Sequence, residues 1–212
     1  MKDIAIYGAG GSGREVKLII DAINKISPVY NVIGFFDDGK PKGEIINGIP
    51  VLGGLSDLEK INVPICIAIS IANPTIKKKI VQSIKNKNVT YPNIIHPNVD
   101  LTGYDITLGQ GNIISNGCII TCNIKIHDFV LMNLQSTVSH DSVINSYCSI
   151  MSAVSISGEV TLNEGIYIGV GARIINQIEV GAYTIIGSGA IVTQSLLANV
   201  TAVGIPAKPL KK

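Results

Sequence analysis

The sequence predicts an α/β domain over residues 1–95 followed by an all-β solenoid over residues 96–212 with a short C-terminal tail. Three observations carry this. A glycine-rich turn directly follows a β-prone run at the amino terminus, and the second half repeats with a period of six. The composition, with 22 glycines, no tryptophan and 15% charged residues, is that of a compact chain. A length of 212 residues suits two small domains with cores of their own.

Composition also excludes several classes. A net charge of +2 without a basic stripe lacks the electrostatic footprint of a nucleic-acid binder. The longest apolar runs, such as ICIAI, fall far short of the roughly 20 residues that span a bilayer, so no membrane insertion is expected. Cys66, Cys118, Cys122 and Cys148 show no CxxC spacing, and MKDIAIYG has no charged segment followed by a long apolar run; a reduced, cytoplasmic protein is expected. The closing KPLKK reads as a solvated end.

The run DIAIY (3–7) reads as a strand, and Gly8, Gly10 and Gly13 then occupy the positions of GxGxxG. Ser12 and Glu15 form the pattern of a capping box, with Val16, Ile19, Ile20 and Ile23 on one face of the helix that follows. Backbone N–H groups at such a helix start suit a phosphate. The strand VIGFF ends in Asp37 and Asp38, 24 and 25 residues past Gly13, where an acid for a ribose belongs in a Rossmann-like unit. PICIAIS predicts a third strand, followed by Asn73 as N-cap, Pro74 at the first helical position and Ile76, Ile80 and Ile84 on one face. The pattern stops near Ile95, leaving no room for the second half of a dehydrogenase.

From Ile106 to Ser195 the chain divides into fifteen hexads without a gap, from ITLGQG to AIVTQS, and the third residue is aliphatic every time. A period of six fits a solenoid with three short faces per coil, each giving one aliphatic residue to the axis. The first hexad position is mostly small or β-branched (Cys118, Val130, Ser136, Val154, Ala172, Ala190), as an inward corner requires. Five coils stack to roughly 24 Å. Residues eighteen apart become vertical neighbours, so Gly158 lies above His140 and is expected to open a notch over the imidazole. Ser152, Val170 and Ser188 form a second column. Cys118 and Cys122 read as small buried thiols rather than a metal pair, His127 as structural or facing a subunit, and His96 as a joint residue.

GAGGSG, GFFDD, IANPTIKKKI, IIHP, SHDSVI, the hexads and the closing GIPAK together resemble the hexapeptide-repeat acyltransferases, in the branch with sialic acid O-acetyltransferases and UDP-4-amino-sugar N-acetyltransferases. The resemblance covers nearly the whole chain. It implies a left-handed β-helix, a homotrimer, a nucleotide-sugar substrate on the N-terminal domain and acetyl-CoA between neighbouring helices, with no metal. It implies His140 as general base and Asp141 as the acid that tunes it. Nucleotide-sugar contacts fall on Gly10, Ser12, Gly13, Asp37, Asp38, Asn73 and Lys77, with Asn133 near the acceptor. Acetyl-CoA contacts fall on Gly158, Val170 and Ser188, and on Ser149 where some members carry a second histidine. The family's Gly-Asn turn is Ala72-Asn73 here, and its following Arg is Lys77, which reduces a bidentate phosphate contact to a point charge. The expected reaction is acetylation of an amine on a UDP-linked 4-amino-dideoxy sugar. O-acetylation of a sialic acid or another sugar hydroxyl is the alternative, and a non-catalytic nucleotide-binding protein the alternative of another class.

Overall fold

A computed structural model describes residues 1–210; the last two residues of the KPLKK run lie outside them. The amino-terminal half is built from β1 (Lys2–Tyr7), α1 (Gly11–Ile26), β2 (Tyr30–Phe36), β3 (Ile45–Ile46), β4 (Ile49–Gly53), α2 (Leu55–Leu58), β5 (Ile65–Ile69), α3 (Pro74–Ser83) and β6 (Val89–Thr90). They form one sheet of order β3-β4-β2-β1-β5-β6. All pairings are parallel except β3 with β4. That hairpin is not in the sequence reading, although Asn47-Gly48 between two isoleucine runs signals it: both residues have positive φ, 47° and 81°, as a tight turn with two left-handed positions requires.

The helix starts also differ in part from expectation. Asn73 caps α3 by accepting from Ile76 N at 3.0 Å, as expected. The Ser12–Glu15 capping box does not form. The cap of α1 is Gly10, and Ser12 sits inside the first turn, where its Oγ accepts from Ser70 Oγ at 2.8 Å.

The second half is a left-handed parallel β-helix. Its strands pair at intervals of eighteen, as in Ile120 with Val138 and Val138 with Ile156. The third hexad residues point to the axis, and all but Leu108 are buried. The first-position residues Cys118, Val130, Ser136, Val154, Ala172 and Ala190 are buried too, filling the inner corners as predicted.

Every sixth hexad residue from 111 to 189 turns with φ between 55° and 77°. Nine of these are not glycine, among them Phe129, Tyr147 and Tyr183, a conformation that costs an L-residue about 1–2 kcal/mol. The inter-coil hydrogen bonds at the same corners, such as Tyr147 N to Asp128 O at 2.9 Å, hold them there.

Two of the three sheets have five strands; the third has eight, from Ile94–Ile95 to Lys208–Pro209. Ile94–Ile95 already pairs with Ile113–Ile114. The β-helix therefore begins just before the boundary read at 95/96. Hexad counting misses this strand because the spacing to its neighbour, 94 to 113, is nineteen rather than eighteen.

The amino-terminal domain lies on the outer surface of the eight-stranded sheet. Ile113, Leu131 and Met151 pack with Ile4, Ile6, Val16, Ile19 and Ile20, and Phe129 packs with Tyr7, Ile67 and Ile69. At about 1.5–3 kcal/mol for each large apolar side chain buried, these contacts amount to several kcal/mol and join the halves into one body.

Candidate active site

Strand order reverses at β1, with β2 on one side and β5 on the other, so the crevice at their carboxyl ends is where an open α/β sheet takes a ligand. Gly8 has φ 108°, and a Cβ at Gly13 would lie 1.8 Å from Gly8 O; only glycine lets the first turn of α1 press on the loop. Gly10 is exposed at the mouth.

The two acids after β2 are engaged by the chain itself. Asp37 accepts from Ala9 N and Gly39 N, both at 2.8 Å, and so ties the glycine loop to β2. Asp38 accepts from Tyr7 Oη and from Leu55 N at 2.8 Å, across the start of α2. Burial first, and then Asp38, pushes the Tyr7 phenol well above its ordinary pKa. Asp38 is thus a brace between β1 and α2 rather than a free ribose acceptor. Asp37 remains at the crevice, with a structural duty there.

Lys77 corrects its expected role. It is buried (1% exposed), and its Nζ donates to Cys148 O at 3.1 Å and Ser149 Oγ at 2.9 Å. Burial pushes the ammonium down to about 7. The expected apolar stripe on α3 is rotated accordingly, with Ile76 half exposed and Lys77 inward. Ser149, assigned to the cofactor, is itself fully buried beneath Lys77. Neither side chain is open to a ligand.

Lys78, next in sequence, donates to Glu164 at 2.5 Å and Tyr183 Oη at 2.9 Å; these hydrogen bonds, Glu164 first, raise its pKa. Phe129 stacks on Tyr147 at 5.5 Å and meets Tyr91 edge-on at 5.0 Å. This seam was not expected from the sequence, yet Phe129, Tyr147, Gly165 and Tyr183 stand at intervals of eighteen. Above it, a cavity of about 300 Å³ opens between Asn73–Thr75 and Gly165, Tyr167, Tyr183 and Ile185.

His140 follows the strand Thr137–Val138 at a corner of the β-helix. Its Nδ1 lies 2.8 Å from Asp141 Oδ2, and both side chains are about half exposed (55% and 48%). In the tautomer with the proton on Nδ1, that N–H would donate to the carboxylate and the lone pair would lie on Nε2. Asp141 turns with φ 59°, and its carboxyl lies below the usual range because Asn123 and then His140 hydrogen-bond to it. A Cβ at Gly158 would lie 2.4 Å from Cε1 and 2.5 Å from Nε2 of His140. The expected notch is therefore occupied by the imidazole itself.

Asn133 is half-buried and accepts from Leu134 N at 2.7 Å. Val170 and Ser188 are exposed, but at the corner before the Thr137–Val138 sheet, whereas His140 and Gly158 lie at the corner after it. The structure unites His140, Asp141 and Gly158 and separates them from Ser152, Val170 and Ser188 by a whole face. His127 is exposed, with Asp128 turned to Gln110 N instead. Cys118 is buried, and among the described residues no group of three His, Cys, Asp or Glu side chains could hold a metal. No described helix is long and apolar enough to cross a membrane.

Residues 3–84 match the PglD N-terminal domain family. Over 98% of its length the chain is 33% identical to GDP-perosamine N-acetyltransferase of Escherichia coli O157:H7, covering 96% of that protein. The acetyltransferase domain of PglB from Neisseria gonorrhoeae, solved with acetyl coenzyme A, superposes with a TM-score of 0.87 at 28% identity, covering 99% of each chain. PerB from Caulobacter crescentus, solved with CoA and GDP-perosamine, superposes with a TM-score of 0.88 at 25% identity, over 100% of this chain and 98% of that one. Hexad coils, glycine loop and full-length likeness together place this chain in the hexapeptide-repeat acetyltransferase family that includes GDP-perosamine N-acetyltransferase, and it is an acetyltransferase.

Proposed function

We propose that the chain transfers the acetyl group of acetyl-CoA to the amine of a nucleoside-diphosphate-linked amino sugar. The observation that carries this is the His140–Asp141 pair seated on Gly158. In this reading Nε2 takes a proton as the sugar nitrogen attacks the thioester carbonyl; backbone N–H groups steady the oxyanion, and the C–S bond breaks to release CoA. Asp141 stabilises the imidazolium that forms. The glycine loop at the start of α1 suits a diphosphate, so that binding energy remote from the reaction aligns the amine. The whole-length relative named for GDP-perosamine supports an amine acceptor and brings a guanosine nucleotide beside the expected uridine one.

The reading includes a homotrimer. One wall of a cofactor cleft, with Val170 and Ser188, and the histidine lie at different corners of one chain; a ligand touching both is served by two copies side by side. Ile119, Leu134, Val170 and Ile175, each 40–58% exposed, offer apolar surface for that packing.

The test is mass spectrometry of products formed from acetyl-CoA with GDP- and UDP-linked 4-amino sugars, against free and cytidine-linked sialic acid. An N-acetylated nucleotide sugar is expected, and His140→Ala should lower its rate by about 10²–10⁴ with assembly intact. Faster acetylation of the sialic acids would replace this reading with O-acetylation.

A further inference from the structure

At the corner that carries His140, Asp105, just before the first hexad, and the sixth hexad residues Asn123, Asp141, Glu159 and Gln177 stack into a column, all with φ between 50° and 60°. Their side chains pair as amide with acid. Asn123 Nδ2 donates to Asp141 Oδ1 at 2.8 Å, and Gln177 Nε2 donates to Glu159 Oε2 at 3.2 Å. Asp141 has one oxygen on Asn123 and the other on His140 Nδ1, while its own N–H donates to Cys122 O at 3.2 Å.

We propose that Asn123 is a positioning residue for acyl transfer, its amide fixing the Asp141 carboxylate in the orientation from which that carboxylate aligns the His140 ring. This rests on the general-base reading of His140. Asp141 is half exposed, and with one oxygen released it could rotate and let the imidazole swing away from Gly158. The donated hydrogen bond also keeps the acid charged, since it is the largest cause of the lowered Asp141 pKa. The other ionisable groups at this corner are Cys122 beneath His140, the exposed Tyr104 one coil below Cys122, and Asp105 and Glu159 in the column. Glu159 has Gln177 as its own amide partner.

The φ of 55° at Asn123 makes Asn123→Gly the informative variant, because it removes the amide without adding left-handed strain. Asn123→Asp tolerates the same φ but sets two carboxylates together, which favours protonation of the imidazole beside them. Gln177→Gly removes an amide from the same column without touching Asp141.

Steady-state kinetics, pH profiles and thermal unfolding decide. Asn123→Gly should lower kcat on the order of 10- to 100-fold, with KM for both substrates within about twofold and an unchanged melting temperature. Asn123→Asp should move the acidic limb of kcat/KM to higher pH, and Gln177→Gly should leave kcat and that limb in place. Parental kcat in Asn123→Gly, an equal loss in Gln177→Gly, or an unmoved limb in Asn123→Asp would each overturn the inference. If His140→Ala is inactive while Asn123→Gly is unimpaired, only this inference falls; if His140→Ala turns over normally, the general-base reading falls with it.

Discussion

The ammonium of Lys77 donates to the hydroxyl of Ser149 at 2.9 Å, across the seam between the α/β domain and the β-helix. No carboxylate shares this hydrogen-bonded group, because its other acceptor is the carbonyl of Cys148.

A lysine held at about 7 when folded and near 10.4 when unfolded binds fewer protons in the native state between those values. Stability therefore rises with pH across that window, and the penalty is fully present below it. Lys77→Met, which keeps the volume and removes the charge, should be most favourable relative to the parent below pH 7. It should lose that advantage, by an amount on the order of a few kcal/mol, towards pH 10. Melting temperatures of both proteins at pH 6.5 and 9.5 measure this; a constant gap would mean that Lys77 does not titrate there.

Gly158→Ala should affect turnover far more than folding. The added methyl falls on the imidazole, not on backbone, so the ring end can shift at modest cost to stability. A displacement of about 1 Å in a catalytic group lowers rates on the order of 10²-fold. The check is kcat beside the melting temperature, and near-parental kcat would remove Gly158 from the site.

Asp37→Ala deletes the acceptor for Ala9 N and Gly39 N and loosens the glycine loop that faces the expected diphosphate. Acceptor KM should rise several-fold with little change in kcat. The melting temperature should fall by a few degrees, because two backbone donors lose a charged partner. An unchanged KM would place the nucleotide elsewhere.

Light scattering should give a mass three times the 22.4 kDa of one chain. Val170→Asp, which puts a charge on apolar surface expected between copies, should shift the mass towards the monomer and abolish turnover with it. A monomeric parent that acetylates its acceptor would refute the shared site.

The β-helix was legible in the sequence because its contacts are periodic: a residue and its neighbour eighteen positions on share one environment, so an aliphatic residue at each third hexad position already specifies the axis. By the same rule Gly158 could be set above His140. The Asn73 cap was equally local. The cap of α1 was not, since Ser12 bonds to Ser70, 58 residues away. Nor could hexad counting find the strand at Ile94–Ile95, whose spacing departs from eighteen.

What only the tertiary structure decided is the partner of each polar side chain at a junction. The residue types of Lys77, Ser149, Asp37 and Asp38 suit ligands, and no periodicity relates α3 to the Cys148–Ser149 corner. When the α/β domain docks, Lys77 leaves water, and a buried donor must take whatever acceptors the opposing surface presents. Here these are Cys148 O and Ser149 Oγ. Which surface opposes it is set by the burial of Ile113, Leu131 and Met151 against α1 and β1, apolar packing without direction or sequence spacing to read.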